Sequence, residues 1–365
     1  MEHVEQQGDL DMTSVSGHGP WPGGEGTDVL EAQQTIFGDL AEVPTGVTPV
    51  PFLARLPQRG PGADGVGRTA TLLADLPVEI GPHGWKLADR PGMDERRARA
   101  FLRDDLGALA IAGHGYVGPL AVSVVGPWTL AAELYLARGD RVLADRGARA
   151  DLAASLAVGV RAHLDEVRRQ VPGAELVVQV SEPLLGQINA GVLPTFSGYS
   201  RLRPVEGPDV VAGLETVLDA VRDGGARSVV HVGPAWVGIA PVVLAGADAV
   251  GLDLAARADG WDEKGWELVA RAVERGVAVW AGLPPAKVSQ CSGPNLGDLA
   301  SLVTVPWHRI GLPSSGLDDV TLLAAPRAGG VGLGSGTRLG STDENRAMLG
   351  NLGRVAEMLA ERAQD

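Results

Sequence analysis

Three side chains that can take part in proton transfer stand at the ends of apolar segments. His231 follows Arg227-Ser-Val-Val, Asp253 ends Ala247-Asp-Ala-Val-Gly-Leu-Asp, and Glu182 comes just after the segment 175–180. Imidazole and carboxylate groups are common general acids and bases, so we take Glu182, His231 and Asp253 as candidate catalytic residues. The structural alternatives are a core histidine bonded to the backbone, a helix-capping aspartate, and a solvated or capping glutamate.

The segments that carry these residues have the character of buried parallel strands. Each is a nearly continuous apolar run, which is typical of a sheet covered by helices on both faces. In such sheets ligands bind where the strands end. Further polar residues at predicted strand ends are His18, Asp75, Ser123 and Ser181, together with the segment around Ala328.

Eight such strands alternate with helical segments along most of the chain. They are predicted over 14–18, 72–78, 120–125, 175–180, 227–233, 247–253, 276–283 and 319–325. This alternation predicts a single α/β domain, a (β/α)8 TIM barrel over 14–365, after a disordered tail over 1–13. An open doubly wound sheet is the alternative. The Pro- and Gly-rich stretch 43–67 is predicted to be a long ordered loop.

Composition limits the possible partners of the 365-residue chain. A formal net charge of -14 argues against binding to nucleic acid or to an anionic membrane. The expected partner is a small-molecule substrate. The single cysteine, Cys291, excludes an internal disulfide and a multi-cysteine zinc site. The N-terminal residues are polar and acidic, and no apolar run approaches the ~20 residues of a membrane span. The expected location is the cytoplasm.

Six short motifs occur in an order that resembles a known family. They are Gly17-His-Gly-Pro-Trp-Pro, Gly60-Pro-Gly-Ala-Asp-Gly-Val-Gly-Arg68, Gly126-Pro-Trp-Thr, Val178-Gln-Val-Ser-Glu-Pro183, Val229-Val-His-Val-Gly233 and Gly251-Leu-Asp-Leu. Together, over about residues 14–360, the chain resembles the short actinobacterial form of cobalamin-independent methionine synthase. That family belongs to a superfamily that also includes uroporphyrinogen decarboxylase.

The resemblance implies methyl transfer from a reduced folate to homocysteine in a (β/α)8 barrel, with zinc holding the thiol. Coordination to a metal turns a thiol into the nucleophilic thiolate. His231 and Asp253 match the histidine and the acid of the family's zinc site, while Gly233 and Ala328 stand at its two cysteine positions. We therefore expect an incomplete ligand set that does not bind zinc tightly. A set relocated to include Cys291 is an alternative that no ligand spacing supports.

The same motifs suggest contacts to the substrates. Ser181 stands where the family has an aspartate that contacts the amino group of the substrate, and a tryptophan near a strand end is a possible stacking partner for a pteridine ring. The predicted substrate-binding residues are His18, Trp21, Asp64, Arg68, Trp128 and Ser181.

Two further functional hypotheses stay open. One is a barrel enzyme of the same superfamily that works without a metal on another substrate, with arginines such as Arg68, Arg201, Arg203 and Arg327 binding its carboxylates. The other is a degenerate paralogue that acts as a binding or regulatory protein, motivated by the loss of both cysteine positions.

Overall fold

The chain folds into a barrel of parallel strands surrounded by helices. The computed structural model describes residues 12–24, 26–254, 261–291, 295–326 and 339–364. Eight strands form one parallel sheet in the order β2-β1-β10-β9-β8-β7-β6-β5. The predicted single (β/α)8 barrel is therefore confirmed, and the open doubly wound alternative is not what forms.

The strands and helices alternate along most of the described chain. The strands are β1 (Ser14–Val15), β2 (Thr48–Pro49), β3 (Val78–Gly81), β4 (Gly84–Leu87), β5 (Gly118–Val125), β6 (Ala174–Ser181), β7 (Arg227–His231), β8 (Ala249–Asp253), β9 (Ala278–Leu283) and β10 (Val320–Ala324). The helices are α1 (Val29–Ala41), α2 (Gly65–Ala70), α3 (Met93–Ala112), α4 (Pro127–Glu133), α5 (Arg146–Gln170), α6 (Leu185–Ala190), α7 (Gly207–Asp223), α8 (Ile239–Leu244), α9 (Glu263–Val273), α10 (Pro285–Ser289), α11 (Leu296–Arg309) and α12 (Thr342–Ala363).

The barrel closes between the chain that continues β2 and the strand β5. Phe52 and Ala121 form a parallel bridge, with Leu53 N donating to Ala121 O at 2.9 Å and Ala121 N donating to Pro51 O at 2.8 Å. The second barrel strand thus lies within 43–67, where the sequence predicted a loop. The prolines at positions 49 and 51 lack an N–H and interrupt the strand pattern, which explains the error.

The segment 72–78, predicted to be the second barrel strand, is instead a turn that leads into a small hairpin. Asp75 has a φ of 58°, so the backbone leaves the extended conformation there, and Asp75 does not end a barrel strand. The turn is fixed to α5, where Ser155 Oγ donates to Ala74 O at 2.6 Å. Residues from Val78 onward then form the antiparallel pair β3–β4.

Helix boundaries agree closely with the local signals of the sequence. Asp28 caps α1 by accepting from Leu30 N, and Ser341 with Glu344 forms the predicted capping box of α12. Thr13, placed in the predicted tail, is buried and donates to Leu317 O at 3.1 Å. Residues 1–11 lie outside the described part of the chain. Among the helices of the described residues, none is long and apolar enough to cross a bilayer.

A buried glutamine on α1 completes the hydrogen bonding of the irregular second strand. Gln33 is fully buried; its Nε2 donates to Phe52 O at 2.9 Å, and its Oε1 accepts from Ala54 N at 2.8 Å. The amide side chain therefore forms the hydrogen bonds to Phe52 and Ala54 that a neighbouring strand would otherwise form. This contact fixes the segment that carries Arg55 to the mouth of the barrel.

Replacing Gln33 with leucine should destabilise the protein strongly. The Gln33→Leu variant leaves one buried N–H and one buried C=O without partners, so we expect a loss of about 2–4 kcal/mol in the free energy of unfolding. Gln34→Leu is the matched control, because Gln34 is exposed on the same helix. Urea unfolding of both variants measures the effect; equal stabilities would contradict this role of Gln33.

Candidate functional site

Three side chains meet at the carboxyl ends of the barrel strands. One possible ligand atom from each of His18, His231 and Asp253 lies within 4.8 Å of those of the other two. Nε2 of His231 is 3.8 Å from Oδ1 of Asp253, and the rings of His18 and His231 meet edge to face with centroids 4.3 Å apart. The sequence placed His231 and Asp253 at one mouth, and the structure brings them together.

Three different strands position these residues. His231 is the last residue of β7, Asp253 is the last residue of the neighbouring β8, and His18 follows β1 by three residues. Since parallel strands around a barrel end at the same face, side chains from distant parts of the chain converge there. The site is therefore a product of the barrel closure.

Glycines on the neighbouring strands give the two strand-end side chains room to reach the axis. His231 pairs with Gly251, where an added Cβ would lie 2.2 Å from His231 Cδ2. Asp253 pairs with Gly282, where an added Cβ would lie 3.0 Å from Asp253 Oδ1. A larger residue at either position would displace the side chain opposite it.

The site contains buried polar atoms that lack a partner. Nε2 of His18, Nε2 of His231 and Oδ1 of Asp253 have no hydrogen-bond partner among the described residues. Such atoms are costly unless a ligand, ion or water satisfies them. Their convergence on one point therefore indicates a binding site.

Burial shifts the proton equilibria of all three groups toward the neutral form. It lowers the pKa of His231 to about 3 and raises the pKa of Asp253 to about 7. Burial, the neighbouring His231 and the positive charge of Arg55 lower the pKa of His18 well below its usual value. At neutral pH both imidazoles are thus unprotonated, as metal ligation requires.

The hydrogen bonding of His231 constrains which nitrogen binds a ligand. Its Nδ1 accepts a long hydrogen bond of 3.3 Å from Gly233 N, which leaves the proton of the neutral ring on Nε2. Coordination through Nε2 would require the ring proton on Nδ1, and the hydrogen bond from Gly233 N would then be lost.

Gln179 on β6 adds a fourth polar group to the same region. Its Nε2 donates to Gly17 O at 2.7 Å, and its Oε1 has no partner among the described residues. The Gln179 side chain partly offsets the lowering of the pKa of His18. Sequence reasoning missed Gln179, although it lies inside the motif that ends at Pro183. The alternation of side chains along β6 was the available signal, because Ser181, two residues on, was already a candidate.

Glu182 is fixed by the start of a helix. It is completely buried, and its carboxylate accepts from Trp128 N at 2.8 Å, Thr129 N at 2.7 Å and Thr129 Oγ1 at 2.6 Å. The geometry gives Glu182 a structural function as the anchor of α4. The catalytic role expected from the sequence stays a prediction.

The predicted substrate-binding residues occupy different environments. Ser181 is half-buried and pairs with His231 across the sheet, so it belongs to the mouth. Trp21 and Trp128 are buried, and Trp128 Nε1 donates to Val210 O. Asp64 caps α2 through Gly67 N, and Arg68 pairs with Asp105 at 2.8 Å. Of the six, His18 and Ser181 are those that the structure brings to the His231–Asp253 pair.

Neither of the two positions that match the family's cysteines carries a thiol. Gly233 has a φ of 61°, and a Cβ there would lie 3.6 Å from Asp253 Oδ2, so this position borders the site. Ala328 lies outside the described residues, as does Arg327. Cys291 lies beside α12, where its carbonyl accepts from Asn351 Nδ2, and it is not in the ligand group.

Comparisons with known proteins show similarity to solved barrel structures. A B12-independent methionine synthase from a Shewanella species matches at 15% identity and a TM-score of 0.43, over 67% of this chain and 62% of that chain. A D-psicose 3-epimerase matches at 14% identity and a TM-score of 0.36, over 68% of this chain and 81% of that one. A β-glucosidase matches at 14% identity and a TM-score of 0.38, over 93% and 98%.

The chain thus spans less than two thirds of the methionine synthase that it matches. No family model matches the chain, and no curated protein matches it.

Replacing Gly251 with alanine should disturb the site without removing a ligand. The Gly251→Ala variant forces the His231 ring to move, and we expect a loss of about 2 kcal/mol in the free energy of unfolding. In a His231→Ala background the same substitution should cost clearly less, because the ring has gone. A double-mutant cycle by urea unfolding measures the difference; an equal cost in both backgrounds would argue against the contact.

Glu182 should make stability depend on pH. Burial, partly offset by hydrogen bonds from Thr129 and Trp128, raises the pKa of Glu182 from 4.5 to about 7. Between these values the folded chain holds a proton that the unfolded chain has lost, so the stability that this group contributes falls as pH rises through the window. Relative to Glu182→Gln, wild type should lose about 1–3 kcal/mol between pH 4.5 and pH 8. Urea unfolding across this range tests it, and a pH-independent difference would refute it.

Proposed function

We propose that the chain is an enzyme that acts on a small molecule at a divalent metal ion held by His18, His231 and Asp253. The observation that carries the proposal is the convergence of one potential ligand atom from each residue to within 4.8 Å. The positions of these residues at the carboxyl ends of barrel strands support it, because barrel enzymes bind their substrates there.

The residues fit a divalent transition metal. Two imidazoles and one carboxylate are a known catalytic set for zinc, and the same donors suit other first-row metals. The unpartnered state of Nε2 of both histidines and of Oδ1 of Asp253 supports this fit, as does the partial exposure of His18 and Asp253 toward the mouth. His18 thus supplies a third ligand where the sequence offered only His231 and Asp253.

We further infer that the reaction is methyl transfer from a reduced folate to a thiol such as homocysteine. The resemblance of the ordered motifs supports this reaction, and so does the meeting of His231 with Asp253, the two matched ligand positions. A bound metal would supply the chemistry that turns a substrate thiol into a thiolate. His18, His231 and Asp253 would hold the metal. Gly233 supplies no thiolate ligand at the position where the family has a cysteine.

A metal-free reaction is the second candidate, and one observation favours it. Burial raises the pKa of Asp253 to about 7, beside an imidazole 3.8 Å away. A carboxyl group with such a pKa works well as a general acid or base at neutral pH. In this case Asp253 exchanges a proton with the substrate directly, beside the neutral imidazole of His231.

Metal binding separates the two candidates. Purified wild type dialysed against zinc should hold about one ion per chain, as a three-ligand catalytic site does. The variants His18→Ala, His231→Ala and Asp253→Ala should each bind zinc at least about 100-fold more weakly. Cys291→Ser is the matched control and should bind like wild type. Zinc content by mass spectrometry and affinity by calorimetry are the measurements.

Turnover then tests the reaction. Zinc-loaded wild type should form methionine from homocysteine and methyltetrahydrofolate, and chelation of the metal should abolish it. Activity that survives chelation would favour the metal-free reaction. Tight zinc binding without methionine formation would keep the metal centre and refute methyl transfer, whereas no zinc binding would refute the metal centre itself.

A further inference from the structure

Arg55 lies at the mouth of the barrel on the irregular continuation of β2. Its backbone N donates to Gly19 O at 2.9 Å, and Trp21 N donates to its carbonyl at 2.8 Å. Arg55 is thereby paired with the segment that directly follows His18. Sequence reasoning missed this residue because it falls in the stretch predicted to be a loop.

The guanidinium of Arg55 is buried and forms no direct ion pair with the described residues. Arg55 is 8% exposed, and its Nε has no hydrogen-bond partner among the described residues. The buried ion pairs of this region go to its neighbours instead: Asp105 pairs with Arg59 at 2.5 Å and with Arg68 at 2.8 Å. Within the described part of the chain, no carboxylate is at ion-pair distance from Arg55, and the negative charges of Asp64 and Asp105 act on it only from farther away.

An unpaired buried charge is expensive, and Arg55 keeps its charge. Burial and the positive charge of Arg68, partly offset by the negative charges of Asp64 and Asp105, lower the pKa of Arg55 to about 10, so the guanidinium is protonated at neutral pH. Taking such a group out of water costs several kcal/mol unless hydrogen bonds and an opposite charge compensate. The fold bears this cost at a position where a ligand of opposite charge can relieve it.

The surroundings of Arg55 connect it to the candidate metal site. Its backbone N–H bonds to the carbonyl of Gly19, the residue that directly follows the ligand candidate His18. Gly65 lies beside the guanidinium, where an added Cβ would be 3.1 Å from Nη1 and 3.4 Å from Val125 Cγ2 at the end of β5. The cation thus lies at the strand ends, on the His18 side of the mouth.

We propose that Arg55 binds an oxyanion of the substrate, a carboxylate or a phosphate group, while the reacting end of the same molecule lies at His18, His231 and Asp253. A guanidinium presents parallel N–H donors that match the geometry of either group. The inference rests on the proposed function for the identity of the ligand as a substrate. The anion site itself does not need the metal.

The sign of the change in Tm on replacing Arg55 tests whether its guanidinium lacks a partner in the fold. Arg55→Met removes a buried cation and keeps most of the side-chain volume, so Tm in an anion-free buffer should rise by about 1–4 °C. Arg68→Met is the matched control: it breaks the buried pair with Asp105, and Tm should fall. A fall in Tm for Arg55→Met would overturn the proposal, because it would give Arg55 a structural partner.

Titration with simple anions tests the binding. Metal-free wild type is titrated with acetate and, separately, with inorganic phosphate at constant ionic strength, and Tm and calorimetric heats are recorded. At least one anion should bind saturably and raise Tm, and Arg55→Met should bind it at least about 30-fold more weakly. Binding of acetate alone assigns a carboxylate, and binding of phosphate alone assigns a phosphate. No saturable binding, or equal binding by the variant, would refute the site.

The two proposals fail separately. Loss of zinc binding with intact anion binding would refute the metal centre and leave the Arg55 site. If methionine formation is found, Arg55→Met should raise the KM for homocysteine and leave zinc affinity unchanged. A wild-type KM in that variant would overturn the substrate assignment.

Discussion

The site depends on the parallel register of the barrel, which places each of two long polar side chains opposite a glycine. His231 lies across from Gly251 and Asp253 lies across from Gly282. Without these glycines the imidazole and the carboxylate would not reach the region in front of His18. The same register ends β7 and β8 at one face of the barrel. His231 and Asp253 therefore lie close together, although they are separated in the sequence.

The mouth of the barrel holds polar groups that the fold leaves unsatisfied. Three unpartnered atoms belong to His18, His231 and Asp253, a fourth is the amide oxygen of Gln179, and a fifth is Nε of Arg55. Unpartnered buried atoms also occur elsewhere, at Arg141, Asn189 and Arg227, but there they do not converge on one point. The grouping at the mouth supports the proposed ligand, which has a metal-binding or proton-exchanging end and an anionic end. Homocysteine, with a thiol and a carboxylate, has both.

Local sequence signals predicted much of the framework. The apolar runs at 227–233 and 247–253 correspond to β7 and β8, and their polar ends meet as expected. The second barrel strand was predicted in the wrong place, since its hydrogen bonds come from Ala121 and from the side chain of Gln33. Such partners are distant in the sequence, so no local pattern reveals them.

The site was predicted only in part, because its contacts also join residues that are distant in the sequence. His18 was identified as a strand-end residue, but β1 is only two residues long and reaches His231 through barrel closure. The function of Glu182 as the anchor of α4 depends on a contact with Thr129, 53 residues away. No sequence pattern identifies Arg55 as a candidate, because the proposed role depends on its burial and on the lack of a direct ion pair.

A crystal structure of the zinc-soaked protein, with anomalous scattering recorded at the zinc edge, tests the central claim most directly. The account predicts one strong peak at about 2.0–2.2 Å from a nitrogen of His18, a nitrogen of His231 and an oxygen of Asp253. A peak at Cys291 or another surface group, with the three side chains unchanged and no density between them, would contradict it.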